Sequence, residues 1–362
     1  MAYRKRISLF AVFRFIKTEL IRYYKYGLEN LRESIQTSFS YRISNEYFIK
    51  PVLPTAPFYM RDGAASVSFA GRIWLFGGWT QTIDRGAFTN NEIWSSTNGL
   101  DWDYHGQAPW EPRHVFPVVE FQNKLWLIGG DANSKHYQTD VWISSDGIHW
   151  TLIAENIPCL HRITHYVVVF NEKIWLIGGI ENNEILKPED KKRVEGKRFN
   201  DVWSTKDGIN WTLESEKTDW VPRGMISGQA VLKNKIYLVA GGTYDIRRFY
   251  NDVWSSPDGV HWHEETANAA FSKRSFVNIT VFDDKIWLVG GLSPAKRHLR
   301  DIWYSQDGRY WQQLVIPKNY LGRHACSLVV HQNVLWVIAG HQLNDVWKIE
   351  KNHFSSNERI IN

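Results

Sequence analysis

The sequence predicts an all-β chain built from six copies of one four-stranded unit, and three observations carry that prediction. Glycine pairs close short apolar runs at Gly77-Gly78, Gly129-Gly130, Gly178-Gly179, Gly241-Gly242 and Gly290-Gly291, with a degenerate Ala339-Gly340. A tryptophan follows each pair, at Trp94, Trp142, Trp203, Trp254, Trp303 and Trp347. An arginine opens each copy, at Arg61, Arg113, Arg162, Arg223, Arg274 and Arg323. Self-similarity at a period of about 50 residues marks a solenoid, a propeller or an array.

The third copy shows the elements in order. Residues 162–170 (RITHYVVVF) form strand a, Asn171-Glu172 turn the chain, and residues 173–179 (KIWLIGG) form strand b. After a variable loop, Asp201-Val202-Trp203-Ser204 form strand c, and Asp207-Gly208 turn into strand d at Trp211-Thr212-Leu213. Each run is short, rich in β-branched and aromatic residues, and bounded by Gly, Asn or Asp. Strand b is apolar on both faces, so it must be covered on both sides. Strand a carries small residues, as in SGQAVL and ACSLVV, whereas the later strands carry tryptophan. Small residues near an axis and large ones at a rim describe radial blades, so the predicted architecture is a six-bladed β-propeller.

The sixth copy stops at Trp347-Lys348-Ile349 and lacks strand d. An unpaired edge is a liability, so the missing strand is expected from the N-terminal side. The strand d tryptophan lies 11 or 12 residues before the next arginine, as from Trp150 to Arg162. Counting back from Arg61 lands near Ile49. Residues 44–52 are therefore expected to close the last blade, the propeller to span 44–350, and residues 351–362 to form a tail.

A glycine pair after an apolar strand, followed by Asp-Val-Trp, is similar to the kelch repeat, and the similarity covers residues 44–350. It implies a six-bladed propeller. The copies depart from that pattern in ending on Asp-Gly-x-x-Trp, as in Asp146-Gly147-Ile148-His149-Trp150. This ending looks like a shortened Asp-box of the sialidase type, which marks a hairpin turn and has no catalytic role.

The net charge is +5, and residues 1–40 alone carry eight basic against three acidic side chains. The propeller is thus formally neutral, which argues against nucleic acid as a partner. Leu9, Phe13, Ile16, Leu20, Tyr24, Leu28, Leu31 and Ile35 recur at helical spacing, so residues 1–40 are expected to form a basic amphipathic helix. Its apolar run is too short to span a bilayer. Two placements stay open: packing on the propeller, or peripheral contact with an anionic membrane. With two cysteines there is no disulfide framework, and a reducing, cytoplasmic compartment is expected.

Function is expected on the face that carries the d-to-a crossovers and the b-to-c loops. There the b-to-c connection runs 24 residues from Gly179 to Trp203 but only 7 from Gly340 to Trp347. Variable loops on a rigid scaffold are where binding groups sit. The long insert at 187–198 is highly charged, and the shorter loops add Arg247-Arg248 and Lys296-Arg297-His298. The six arginines admit two readings: a ring of guanidiniums for a carboxylate or phosphate, or scaffold that stacks on neighbouring aromatics. Of the 19 tryptophans all but Trp79 fall in register with the repeat. Trp79 follows its glycine pair directly, and its equivalents are Asp131, Ile180, Thr243, Leu292 and His341. Asp62, His114 and His324 each follow an arginine and are similarly irregular. Trp79 suits stacking on a ring, while Asp62, Asp131, His114, His324 and His341 suit hydrogen bonding or proton transfer.

No phosphate loop, nucleophile elbow or metal-spaced Cys/His cluster is present, and no metal or cofactor is expected. Two functions remain open. One is a non-catalytic propeller that binds a protein, or an acidic small molecule or sugar, on its variable face. The other, implied by the kelch resemblance, is a carbohydrate-active enzyme similar to sialate epimerases. The two part on whether titratable groups converge in one pocket.

Overall fold

A computed structural model describes residues 42–44, 46–82, 86–132, 137–181, 196–243 and 248–352. The helix expected over residues 1–40, most of the charged insert, Arg247 and the end of the tail lie outside the described residues. The chain divides into residues 1–41 and 42–362, and the second unit is a six-bladed β-propeller. Among the described residues the only helical element is a 3₁₀ turn, Pro158–Leu160, and no helix is long and apolar enough to cross a membrane.

The first blade runs Ala65–Phe69, Arg72–Thr82, Gly86–Ser96 and Asp103–Gln107, each strand antiparallel to the last. The second runs Val118–Phe121, Lys124–Gly130, Gln138–Ser144 and Thr151–Ala154; the third runs Tyr166–Phe170, Lys173–Ile180, Arg198–Thr205 and Thr212–Ser215. The fourth has Val231–Leu232, Lys235–Val239, Val253–Ser256 and His263–Thr266, and the fifth Val277–Phe282, Lys285–Val289, Ile302–Ser305 and Trp311–Leu314. The sixth takes Ser327–His331, Val334–Gly340 and Leu343–Lys351 from its own sequence. Its outer strand is Tyr47–Leu53, with Ile49 opposite Ile349.

The fourth blade departs from the expected pattern. The run SGQAVL was read as one strand a, but it splits. Ile226–Gly228 pairs in parallel with the fifth blade, and only Val231–Leu232 stays with its own. Gly228 permits the split. Its φ is 88°, and a Cβ there would lie 1.9 Å from the Ile279 carbonyl oxygen, which only glycine allows.

The innermost strands of all six blades line one central channel of about 180 Å³, whose walls include Ser66, Val118, His165, Ser227, Asn278 and Ser327. The core lies between blades. Trp74 and Phe76 of the first blade pack with Val118, Leu125 and Trp150 of the second. Val329, Trp336 and Ile338 of the sixth pack with Ile73 and Leu75 of the first.

Each opening arginine is 0–4 % exposed. Its Nη1 donates to the carbonyl of the first residue of its own blade's glycine pair or equivalent: Gly77, Gly129, Gly178, Ala240, Gly290 and Ala339 in blade order, at 2.8–3.1 Å. It also pairs with a carboxylate of strand c, Glu92, Asp140, Asp201, Asp252, Asp301 or Asp345, at 2.5–2.8 Å. The same carboxylate accepts from the indole of the strand c tryptophan, as Asp301 does from Trp303 at 2.7 Å. The guanidiniums stack on aromatics, Arg162 on Phe199 and Arg223 on Tyr250. These are scaffold surroundings: each guanidinium is committed to a carboxylate of its own blade. The shortened Asp-box endings are hairpin turns: Asp146 Oδ1 accepts from the amides of Ile148 and His149, both at 2.8 Å.

Two expectations follow. Arg274→Met leaves Asp301 without its buried partner, so urea denaturation should show a loss of about 3–5 kcal/mol; a loss below about 1 kcal/mol contradicts this account. His165 is 3 % exposed and donates from Nε2 to the Ile128 carbonyl. Burial, and secondarily the Arg162 charge, push its imidazole down to about 4. An unfolded histidine titrates near 6.5, so between these values only the unfolded chain takes the proton. Stability present above pH ~6.5 is therefore lost as pH falls toward 4, by roughly 3 kcal/mol from this residue. The loss over that window should be shallower in His165→Leu, and equal slopes in the two proteins contradict it.

Candidate functional site

The site grows from a belt of backbone around the channel mouth. Two residues after each opening arginine the chain takes a left-handed turn: Gly63 (φ 59°), Val115 (45°), Thr164 (54°), Met225 (64°), Phe276 (51°) and Ala325 (46°). These residues join neighbouring blades. The amide of Gly63 donates to Ala325 (2.8 Å), Val115 to Gly63 (2.7 Å), Met225 to Thr164 (3.1 Å) and Ala325 to Phe276 (3.0 Å).

In the first five blades the residue just before the turn pairs across its blade with the residue just after the glycine pair or its equivalent. Asp62 bridges to Trp79, His114 to Asp131, Ile163 to Ile180, Gly224 to Gly242, and Ser275 to Leu292. The two sets of irregular positions are thus partners on one ring. In the fourth copy the partner is Gly242, not the expected Thr243 one residue later. Ala240-Gly241 occupy the pair position there, because Arg223 bonds the Ala240 carbonyl as the other arginines bond theirs. Leu292 bridges in turn to His298 of the same b-to-c loop.

Between the fifth, sixth and first blades this ring gathers chemistry. The belt bond from Gly63 to Ala325 sets Asp62 beside His324, and the hairpin closing Val334–Gly340 onto Leu343–Lys351 adds His341. His298 and His324 meet at 2.8 Å through their Nδ1 atoms. The rings of His298 and His341 stack at 3.8 Å between centroids, and His324 lies 4.8 Å from each. Asp62 Oδ2 sits 3.7 Å from His324 Nε2 and 3.9 Å from His341 Nδ1. Phe276 packs against the His324 ring. All three histidines are half-buried and Asp62 is buried.

The electrostatics follow from that burial. Desolvation, and then the neighbouring imidazoles, push His324 down to about 3; desolvation and His298 push His341 down to about 4. His298 is lowered by burial as well. Asp62 is pushed up to about 7 by burial. The cluster thus presents neutral rings that can donate, accept or ligate. Exposed Lys296 and Arg297 precede His298 in its loop.

Of the residues singled out in the sequence, the structure brings Asp62, His324 and His341 together. Trp79 is half-buried and shares two backbone bonds with Asp62, at 2.8 and 2.9 Å. His114 and Asp131 form their own pair on the second blade, with His114 Nδ1 3.0 Å from the Asp131 carbonyl. Burial lowers the His114 imidazole while the Asp131 carboxylate opposes it. His298 was not singled out beyond its basic tripeptide. It occupies no repeated position, and only the folding of its loop back onto Leu292 brings it to the ring.

No protein-family model matches the chain, and no curated protein matches it.

His341 and Gln342 make the tight hairpin with φ of 21° and 55°, values that favour glycine. An imidazole held in that conformation is backbone strain located at the site. His341→Gly should raise stability by about 0.5–1 kcal/mol in thermal melts while removing one ring of the cluster. A variant less stable than the parent contradicts the strain.

Proposed function

We propose that the chain is a kelch-like binding propeller that holds an acidic group on its variable face, beside Asp62, His298, His324 and His341. The acidic group is carried by a small molecule such as an acidic sugar, or by the surface of a protein partner. The observation that carries this reading is convergence: four polar side chains from three blades meet at one point of the mouth. The exposed cations Lys296 and Arg297 beside His298 favour a negatively charged ligand. Neutral imidazoles supply donors that orient it.

A second reading, a carbohydrate-active enzyme on the same scaffold, is favoured by that same convergence of a carboxyl group with imidazoles within 4 Å. Fold alone is a weak warrant for chemistry. The enzyme reading therefore stands on whether a bound sugar is turned over.

The expected outcome of a thermal-shift screen against acidic sugars, phosphates, sugar nucleotides and acidic peptides is stabilisation by at least one class. The shift should vanish in His324→Ala and persist in Asp131→Ala. A shift that survives His324→Ala combined with His341→Gly places the acidic group elsewhere. Following the stabilising sugar by NMR distinguishes binding from turnover.

A further inference from the structure

We infer that His298, His324 and His341 form a binding site for one first-row divalent cation of the zinc class, with Asp62 as the positioning residue behind two of the ligands. The inference rests on the site proposed above and names what occupies it. The three residues come from three separate loops, so no ligand spacing appears in the sequence. In the fold one nitrogen from each lies within 4.8 Å of the others.

Proton accounting favours a shared cation. Each neutral imidazole has one N–H and one lone pair. The Asp62 carboxylate faces His324 Nε2 and His341 Nδ1, at 3.7 and 3.9 Å. If those nitrogens carry the protons, His324 Nδ1 and His341 Nε2 are left as lone pairs. His324 Nδ1 then confronts His298 Nδ1 at 2.8 Å. Without a cation that contact requires His298 to be protonated on the same atom. A cation between them would instead take one lone pair from each ring, whose nitrogens already lie within 4.8 Å of one another. Three imidazolium rings at such spacings would repel, so protonation is a poor substitute for the metal. At 3.7 and 3.9 Å Asp62 is near these nitrogens without hydrogen-bonding them; closing that gap would give the carboxylate contact that recurrently fixes the tautomer of a metal-ligating histidine.

The geometry is close to a ligand set without being collapsed onto one. Zinc–nitrogen bonds of ~2.0–2.1 Å put tetrahedral ligand atoms ~3.4 Å apart. The Nδ1 pair must therefore open by roughly 0.6 Å, and the widest separation must close by roughly 1.4 Å. His341 lies on a two-residue hairpin and stacks on His298 at 3.8 Å, so binding would require that stack to open. Imidazole ligands suit zinc, cobalt, nickel and copper, whereas magnesium and calcium require oxygen donors that this set lacks. Three protein ligands leave a fourth position open. The His341 side chain is 31 % exposed at the mouth, so solvent and ligand can reach that position. A cation here also supplies the positive charge for an acidic ligand, a charge the six arginines have committed to their own blades.

The test uses the full chain without an affinity tag, stripped with chelator and titrated with Co²⁺. The visible ligand-field bands are followed, and Zn²⁺ competes. The expected result is one equivalent of Co²⁺ with four-coordinate bands, displaced by Zn²⁺. His298→Ala, His324→Ala and His341→Ala should each weaken binding at least tenfold. Asp62→Asn should weaken it by about ten- to a hundredfold with the bands retained, and His114→Ala, on the second blade, should leave it unchanged. As a second measurement that needs no variant to fold, Zn²⁺ should protect His298, His324 and His341 of the parent from diethyl pyrocarbonate. The inference is overturned if no one-to-one complex forms, if the histidine variants bind as the parent does, or if Zn²⁺ leaves those three rings unprotected. A protein that takes up no Co²⁺ yet still shows a His324-dependent thermal shift with an acidic ligand loses the metal and keeps the binding site.

Discussion

One buried arginine per blade holds this propeller together. Its guanidinium reaches from the start of strand a to the carbonyl of the first residue of the glycine pair and to a carboxylate on strand c, so three strands are fixed by one side chain. Its own carbonyl serves the junction, accepting from the amide of the second glycine of the preceding blade's pair: Gly78 to Arg113, Gly179 to Arg223, Gly291 to Arg323 and Gly340 to Arg61, at 2.8–2.9 Å. Burying a charge is costly unless it is paired and fully hydrogen-bonded, and the planar fork of arginine can meet a carboxylate with two parallel bonds while still reaching a carbonyl. Lysine, a point charge, cannot. The carboxylate in turn accepts from the tryptophan indole, which explains why acid and tryptophan lie two residues apart in every copy.

With the arginines fixing each blade, the apolar surfaces have only one place to go, which is between blades. The Asp-Gly turn at the rim shows how close that packing is. Gly147 of the second blade sits on Trp74 of the first, with φ 82° and room for no Cβ, since one would lie 2.7 Å from the indole. The ring is closed by Tyr47–Leu53, a strand distant in sequence from its partner Leu343–Lys351. Tyr47 extends the closure into the fifth blade, edge-on to Trp287 and Tyr304 and hydrogen-bonded to the buried Lys285 at 2.7 Å. Closure by the N-terminal side leaves the sixth blade with no bare edge and spreads the join over two blades.

How much of this was legible in the sequence depends on whether a feature repeats. Arginines, glycine pairs and tryptophans recur because every blade solves the same packing problem, so period alone gave the blades and the count back from Arg61 pointed near Ile49. Two things were hidden. Reading Gly241-Gly242 as the pair shifted the fourth copy by one residue, because Ala240 fills the glycine role there with a φ of 56°. The split at Gly228 was hidden too, since nothing local distinguishes a strand that pairs within its blade from one that pairs with the next. For the site, Asp62, His324 and His341 stood out as breaks in the repeat. Their convergence did not, because it depends on the backbone belt between blades. His298 lay on a loop with no repeat position to break.

The location of the chemistry follows from what the scaffold leaves unspent. The faces of each strand are consumed by packing and the arginines by their carboxylates, so only the ring of paired positions around the mouth is free to vary. On the third and fourth blades that ring is filled by Ile163, Ile180 and Met225, which pack together with Phe276 at their margin. Apolar side chains there offer no titratable or ligating group. On the other side the b-to-c loop of the sixth blade is shortened to two residues, and a loop of that length cannot fold over its neighbours. His298, His324 and His341 are therefore left facing one another beside the mouth, half-buried, with Asp62 buried behind them. That setting holds imidazoles neutral more easily than solvent does, and a cluster of titratable groups with shifted protonation and no repeated packing role is what marks a candidate site.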